Sequence, residues 1–225
     1  MISVIIPTLN SAREMRRTLP PLVEGVSYGI VKQVIIADGG SSDETLEIAD
    51  AAGCEVVTTE PRRALQVRSG AAASKGKYIM ILHPGVELAP GWVGEAERFI
   101  RSDQARARAG VFQLAFDDAS PETKRALFWA RLRARVMKLP YGEQGVLMSR
   151  FFYDGLGGYP DQASMDDVEF ARRIGAKRWV WFNSEAVVSG DALRRQGKRG
   201  PLTKLTLLAR HMMGADPIEL AKAYD

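Results

Sequence analysis

The chain has 225 residues, 46% of them hydrophobic and 26% charged, a composition that buries a sizeable core and suits one α/β domain. A net charge of +4 is too small to indicate a nucleic-acid binder, and the single cysteine, Cys54, excludes a disulfide framework and points to a reducing compartment. Two histidines and one cysteine, far apart in the chain, do not make a zinc site, and no apolar run reaches bilayer-spanning length.

"SVIIP", residues 3–7, is a β-branched apolar run stopped by Pro7, which reads as a buried strand. The opening "MISVIIPTLN" is too short and too lightly charged for a signal peptide, so the expected compartment is the cytoplasm. A helix is expected from the capping candidates Asn10 and Ser11, with Met15, Leu19 and Leu22 at helical spacing. "VKQVIIAD" (31–38) is a second buried strand, and "GGSS" turns it into a helix over 43–53 that Gly53 can stop. "EVVTT" (55–59) is a third strand, residues 62–76 a third helix, and "KYIMIL" (77–82) a fourth strand. Continuous apolar strands alternating with helices predict a mostly parallel sheet with helices on both faces over roughly the first hundred residues.

Farther on, residues 107–118 read as a strand and 121–139 as an amphipathic helix with prolines at both borders. Residues 142–160 hold a strand, a short helix and a glycine-rich turn. Residues 164–176 form a helix with an acidic first turn and a basic last turn, as the helix dipole favours. "RWVWFN" and "EAVVSG" are two further strands, and residues 200–225 are one or two helices. With no repeat or linker, the expected organisation is a single domain over 1–225. Its nucleotide-binding half is 1–100, its acceptor half 101–190 and its basic helical tail 191–225.

In an open parallel sheet, ligands bind at the carboxyl ends of the strands. Those ends carry "PTLN", "ADGGSSD" and "HPGVE". Asp38 ends a buried strand, where it either accepts hydrogen bonds from a base or ribose or caps the helix that follows. Gly39, Gly40 and Ser41 let backbone N–H groups approach a ligand. Asp166, Asp167 and Glu169 share one helix turn. Acids there often only stabilise the helix start. The "GGYP" turn upstream, however, would hold that start against the sheet edge, making Asp166 or Asp167 a candidate general base. Basic clusters at "RRALQVR", "RARLRARVMK" and "RRQGKRG" are either solvated faces or contacts for an anionic partner, a nucleotide phosphate or a lipid.

"SVIIPTLN", "VIIADGGSSDET", "GAAASKGKYIMILH" and "GLGGYPDQASMDDVEFARRI" follow one another over about residues 2–182. In that order they resemble the inverting glycosyltransferases of family 2, of A-type glycosyltransferase fold, and most closely a small single-domain bacterial branch. The resemblance implies a nucleotide-sugar donor, UDP-linked, and a hydroxyl acceptor on a glycan or lipid. Position by position, it implies that Pro7, Thr8, Asn10, Asp38 and Gly39 bind the nucleoside and that Arg62 or Arg63 reaches the base or its phosphates. It makes Asp167 the catalytic base, with Asp166 beside it. It also places Glu143 and Gln144 of "YGEQG" near donor sugar and acceptor, although relatives often carry aspartate where Glu143 stands.

Relatives close the fourth strand with Asp-x-Asp or His-Ala-Asp, whose carboxylate holds Mg²⁺ or Mn²⁺. Here "HPGVE" keeps His83 but has Gly85 where the aspartate belongs. Hard cations prefer oxygen ligands, so His83 or Glu87 would be a second-best substitute and weak metal dependence is expected. Arg63, Arg194, Arg195 and Lys198 are then the cationic supply for the leaving diphosphate. Three functions compete: an inverting transferase with Asp167 as base, a catalytically weakened nucleotide-sugar-binding or scaffolding protein, and a nucleotidyltransferase. "PTLNSAREMRR" lacks the glycine-rich phosphate loop that the last would want. In the tail, Arg194, Arg195, Lys198 and Arg199 precede Leu202, Leu205, Leu208 and Met212 at helical spacing. That segment either rests on the inner face of the membrane or packs on the domain.

Overall fold

The computed structural model describes residues 1–140, 142–162 and 165–195. Its first half alternates as expected: β1 (Ile2–Thr8), α1 (Ala12–Ser27), β2 (Val31–Asp38), α2 (Thr45–Ala51), β3 (Glu55–Thr58), α3 (Arg63–Ala73) and β4 (Tyr78–Ile81). These strands lie in the order β3-β2-β1-β4, all parallel. Strand alternation sends successive side chains to opposite faces. Ile2, Val4 and Ile6 of β1 join Met15 and Leu22 of α1 in one core, and Ile5 joins Ala64, Val67 and Ala71 of α3 in the other.

The second half continues with β5 (Glu87–Leu88), α4 (Trp92–Arg101), β6 (Ala109–Phe116), α5 (Pro121–Met137), β7 (Val146–Ser149), α6 (Arg150–Gly155), α7 (Asp166–Ile174), β8 (Trp179–Val188) and α8 (Gly190–Arg195). The single eight-stranded sheet runs β3-β2-β1-β4-β7-β6-β8-β5. β7 is antiparallel to both β4 and β6, which restores the direction of β6 and β8 to that of β1. The carboxyl ends of β1, β2, β4, β6 and β8 therefore share one edge, where the α7 N-terminus also arrives.

Two elements differ from the sequence expectation. α4 was not among the expected helices, yet its Trp92 is fully buried and donates from Nε1 to the Pro21 carbonyl of α1 at 3.1 Å. Residues 179–188 form one strand rather than two, because a register shift opposite Val111–Gln113 absorbs the polar Asn183–Ser184 interruption. The helices expected over 200–225, with Lys198 and Arg199, lie outside the described residues, as do the Arg195 side chain and Tyr141. No helix among the described residues is long and apolar enough to cross a membrane.

Candidate functional site

β1 and β2 end side by side, with Thr8 paired to Asp38. Asp38 is fully buried, and its carboxylate is saturated by the protein. Oδ1 accepts from Thr8 Oγ1 at 2.9 Å and from Ser41 Oγ, while Oδ2 accepts from the N–H groups of Gly40 (2.9 Å) and Ser41 (2.7 Å). Four such bonds fill the acceptor capacity of a carboxylate. Burial works to raise the Asp38 pKa, but the bonds from Ser41, Thr8 and Gly40 outweigh it and hold the group below its ordinary value. Asp38 does not cap α2, whose N-cap is Glu44. It ties two loops together. Asn10, at φ 48°, closes the same corner by accepting from Ser42 N–H at 2.8 Å. Gly39 donates to the Thr8 carbonyl at 2.8 Å, and Pro7 is buried within β1.

A second corner joins α3 to α7. Arg63, the first residue of α3, donates from Nε to Asp166 Oδ2 at 2.9 Å and from Nη2 to Oδ1. Asp167 Oδ1 is 3.8 Å from the same guanidinium. Asp166 is 2% exposed, whereas Asp167 is one-fifth exposed and lines a small cleft with His83, Gly142 and Tyr159. Burial works against the charge on Arg63, but Asp166 and Asp167 overcome it and raise its pKa. Of the two arginines left open by the sequence, Arg63 enters this corner and Arg62 pairs with Asp161 at the surface. Tyr159, which sequence reasoning treated only as part of a turn, is buried here. Its phenol is pushed well up by burial and by the adjacent Asp166. An aromatic residue between glycines and a proline was the available signal.

Gly85 has a backbone role. Pro84 and Gly85 occupy the centre of a turn closed by Val86 N–H to the His83 carbonyl at 3.3 Å. Gly85 has φ +88°, the value a type II turn needs at its third residue and one that strains any side chain. A Cβ added there would lie 3.4 Å from Glu14 Cγ. Glu87, expected as a substitute ligand, is instead committed to Arg17 of α1 at 3.1 Å, and Arg17 also holds Asp117. Arg194, expected to serve the leaving diphosphate, pairs with Asp118 and Asp191, each at 2.6 Å. Among the described residues, no three His, Cys, Asp or Glu side chains gather to hold a metal. Of the residues expected to hold a metal, Gly85 adds no side-chain oxygen and Glu87 is held by Arg17, while His83 faces the cleft.

His83 packs against Gly142 so closely that a Cβ there would sit 2.8 Å from Nε2. Of the "GEQ" turn, Gln144 is buried and donates to the Phe112 carbonyl at 2.8 Å, so it anchors the loop, while Glu143 acts electrostatically on His83. Burial, then the Arg63 charge, lower the His83 pKa against the opposing carboxylates of Glu143, Asp167 and Asp166. A neutral folded imidazole binds fewer protons than the unfolded one below about pH 6.5, so stability should fall as pH drops from there. Denaturant unfolding between about pH 7 and 5 checks this. His83→Gln should flatten the slope, and an unchanged slope would show that His83 is not its source.

The sequence model of the family described as "Glycosyl transferase family 2" matches residues 3–153. That segment contains Asp38, Arg63 and His83 and ends before Asp166. Among solved structures, the chain is similar to glucosyl-3-phosphoglycerate synthase from Mycobacterium tuberculosis in complex with Mn²⁺, UDP and glucosyl-3-phosphoglycerate. The identity is 18% and the TM-score 0.59, over 84% of this chain and 70% of that one. It is also similar to S. aureus TarS 1–349, at 16% identity and TM-score 0.66, over 84% of this chain and 60% of that one. The UDP complex of the same TarS fragment gives 16% identity and TM-score 0.64, over 85% of this chain and 62% of that one. At such identities the likeness shows the fold. No curated protein sequence matches the chain.

Proposed function

Because the chain belongs to glycosyl transferase family 2, we propose that it moves a sugar from a UDP-linked donor to a hydroxyl acceptor with inversion, Asp167 acting as general base. The observation that carries this reading is the division of labour at the start of α7. Asp166 is buried under Arg63, and its neighbour Asp167 is left facing the cleft beside His83. A base needs hydrogen-bond reach to the acceptor proton, and only Asp167 of the two has an open side.

The donor nucleoside lies across the carboxyl ends of β1 and β2. There Asp38 acts by shaping the loops that carry Asn10, Gly39 and Gly40. Asp167 takes the acceptor proton as the acceptor oxygen bonds to the anomeric carbon. The bond from that carbon to the diphosphate oxygen breaks, and UDP leaves with the electron pair. Both similar proteins above have been seen with UDP, and the mycobacterial one with Mn²⁺, which supports the donor class.

Calorimetric titration of nucleotides, with Mn²⁺ and with EDTA, tests the site. UDP should bind in preference to purine nucleotides, and Mn²⁺ should tighten it by less than about tenfold. Binding that EDTA abolishes would show that His83 and further ligands do hold a metal. A second reading, a nucleotide-sugar-binding protein without turnover, is favoured by the positive-φ turn glycine Gly85, which stands where the family resemblance implies a metal-ligating aspartate. UDP binding without acceptor-dependent UDP release would select it.

A further inference from the structure

The amphipathicity of α5 is inverted. The helix buries Thr123, Ala130 and Ala134, while Phe128, Trp129, Leu132 and Val136 are 62, 40, 41 and 71% exposed. Phe128, Leu132 and Val136 recur at four-residue spacing with Trp129 alongside, so they form one stripe opposite the buried alanines. Phe128 and Trp129 pack edge to face with centroids 5.7 Å apart. Such a stripe in water is unfavourable, and it calls for a partner.

Its charge identifies the partner. Residues 121–138 carry six Lys and Arg against one Glu, a larger excess than the +4 of the whole chain. Lys124, Arg125 and Arg131 are exposed and form no ion pair with any described residue. Arg16, Arg62, Arg98, Arg101, Arg172 and Arg173 are all paired with acids. Aromatic and aliphatic side chains rimmed by cations are the pattern of a helix lying in a lipid interface, where apolar groups enter the acyl boundary and cations meet anionic head groups. A second copy fits poorly, because a symmetric pairing of this face would oppose two sets of cations.

We propose that α5 is the docking surface for an anionic phospholipid bilayer, with Phe128, Trp129, Leu132 and Val136 inserted and Lys124, Arg125 and Arg131 on the head groups. The C-terminal end of α5 leads through Leu139 into Pro140 and Gly142, which line the cleft of His83 and Asp167. Docking thus brings the cleft beside the membrane. An acceptor hydroxyl carried by a lipid is the consequence, and this last step alone rests on the glycosyl-transfer reading.

The full chain should sediment with phosphatidylcholine vesicles in proportion to their phosphatidylglycerol content, and less as salt rises. The emission of Trp129, isolated as the difference between the native chain and Trp129→Phe, should shift to the blue on binding. Phe128→Ser with Leu132→Ser should lower the partition roughly tenfold or more, since both apolar contacts are lost. Both positions are exposed, so an unchanged thermal melt should confirm the fold. The proposal is overturned by absence of sedimentation, by binding that leaves Trp129 emission unmoved, or by a dimer that the Phe128 and Leu132 changes dissolve. UDP titration of the same samples keeps failure here separate from failure of the nucleotide site.

Discussion

Asp167→Asn should lower turnover by about 10²–10⁴-fold and leave UDP affinity nearly unchanged, because a base acts on the acceptor proton in the transition state and not on the bound donor. The substitution is mild for the fold. Asp167 Oδ1 accepts from Val168 N–H at 2.9 Å, and the amide oxygen of asparagine can keep that bond at the helix start. The side chain is already partly open to the cleft, so no buried charge is stranded. Steady-state release of UDP in the presence of acceptor, set against calorimetric UDP affinity, separates the two effects. A variant with full turnover would sink the assignment and make Asp166 the next candidate, although Arg63 already occupies both oxygens of Asp166.

Arg63→Ala should be costly in two ways. It leaves the buried Asp166 carboxylate without its bidentate partner, which costs on the order of 1–3 kcal/mol once the partial exposure of Arg63 is allowed for. It also releases the start of α7, where Met165 supplies no side-chain cap. A displacement of about 1 Å at Asp167 would then reduce turnover by roughly 10²-fold. Lysine should not rescue, because it lacks the planar fork that meets both carboxylate oxygens. Denaturant unfolding of Arg63→Ala, Asp166→Asn and the double variant should show strong non-additivity, since neutralising Asp166 removes the charge that Arg63 satisfies. Additive losses would mean that the pair does not act as a unit.

The parallel half of the fold was legible because its signals are local. "SVIIP", "VKQVIIAD" and "KYIMIL" are apolar on both faces, as strands covered on both sides must be, and glycine and proline mark where they stop. Asp38 at a strand end and the paired aspartates at a helix start were visible for the same reason. α4 was not, because Gly91 and Gly94 interrupt its local propensity. It is held by Trp92 against α1 and by Phe99 against Phe182, with centroids 5.6 Å apart. The antiparallel insertion of β7 between β4 and β6 likewise has no local cause.

The site divides along the same line. Residue types at strand and helix ends were determined by the sequence alone, since turn chemistry and hydrophobic period act over a few neighbours. Which charged group meets which was decided by the tertiary structure. Arg63 finds Asp166 across 103 positions, and Arg17 takes Glu87 across 70. Those partnerships make Asp166 an anchor, leave Asp167 facing the cleft and tie Glu87 to Arg17. They follow from the packing of the elements, which brings α3 against the start of α7 and α1 against β5. A charge has no directional preference along the chain, and its role comes from the group that the packed elements place within reach.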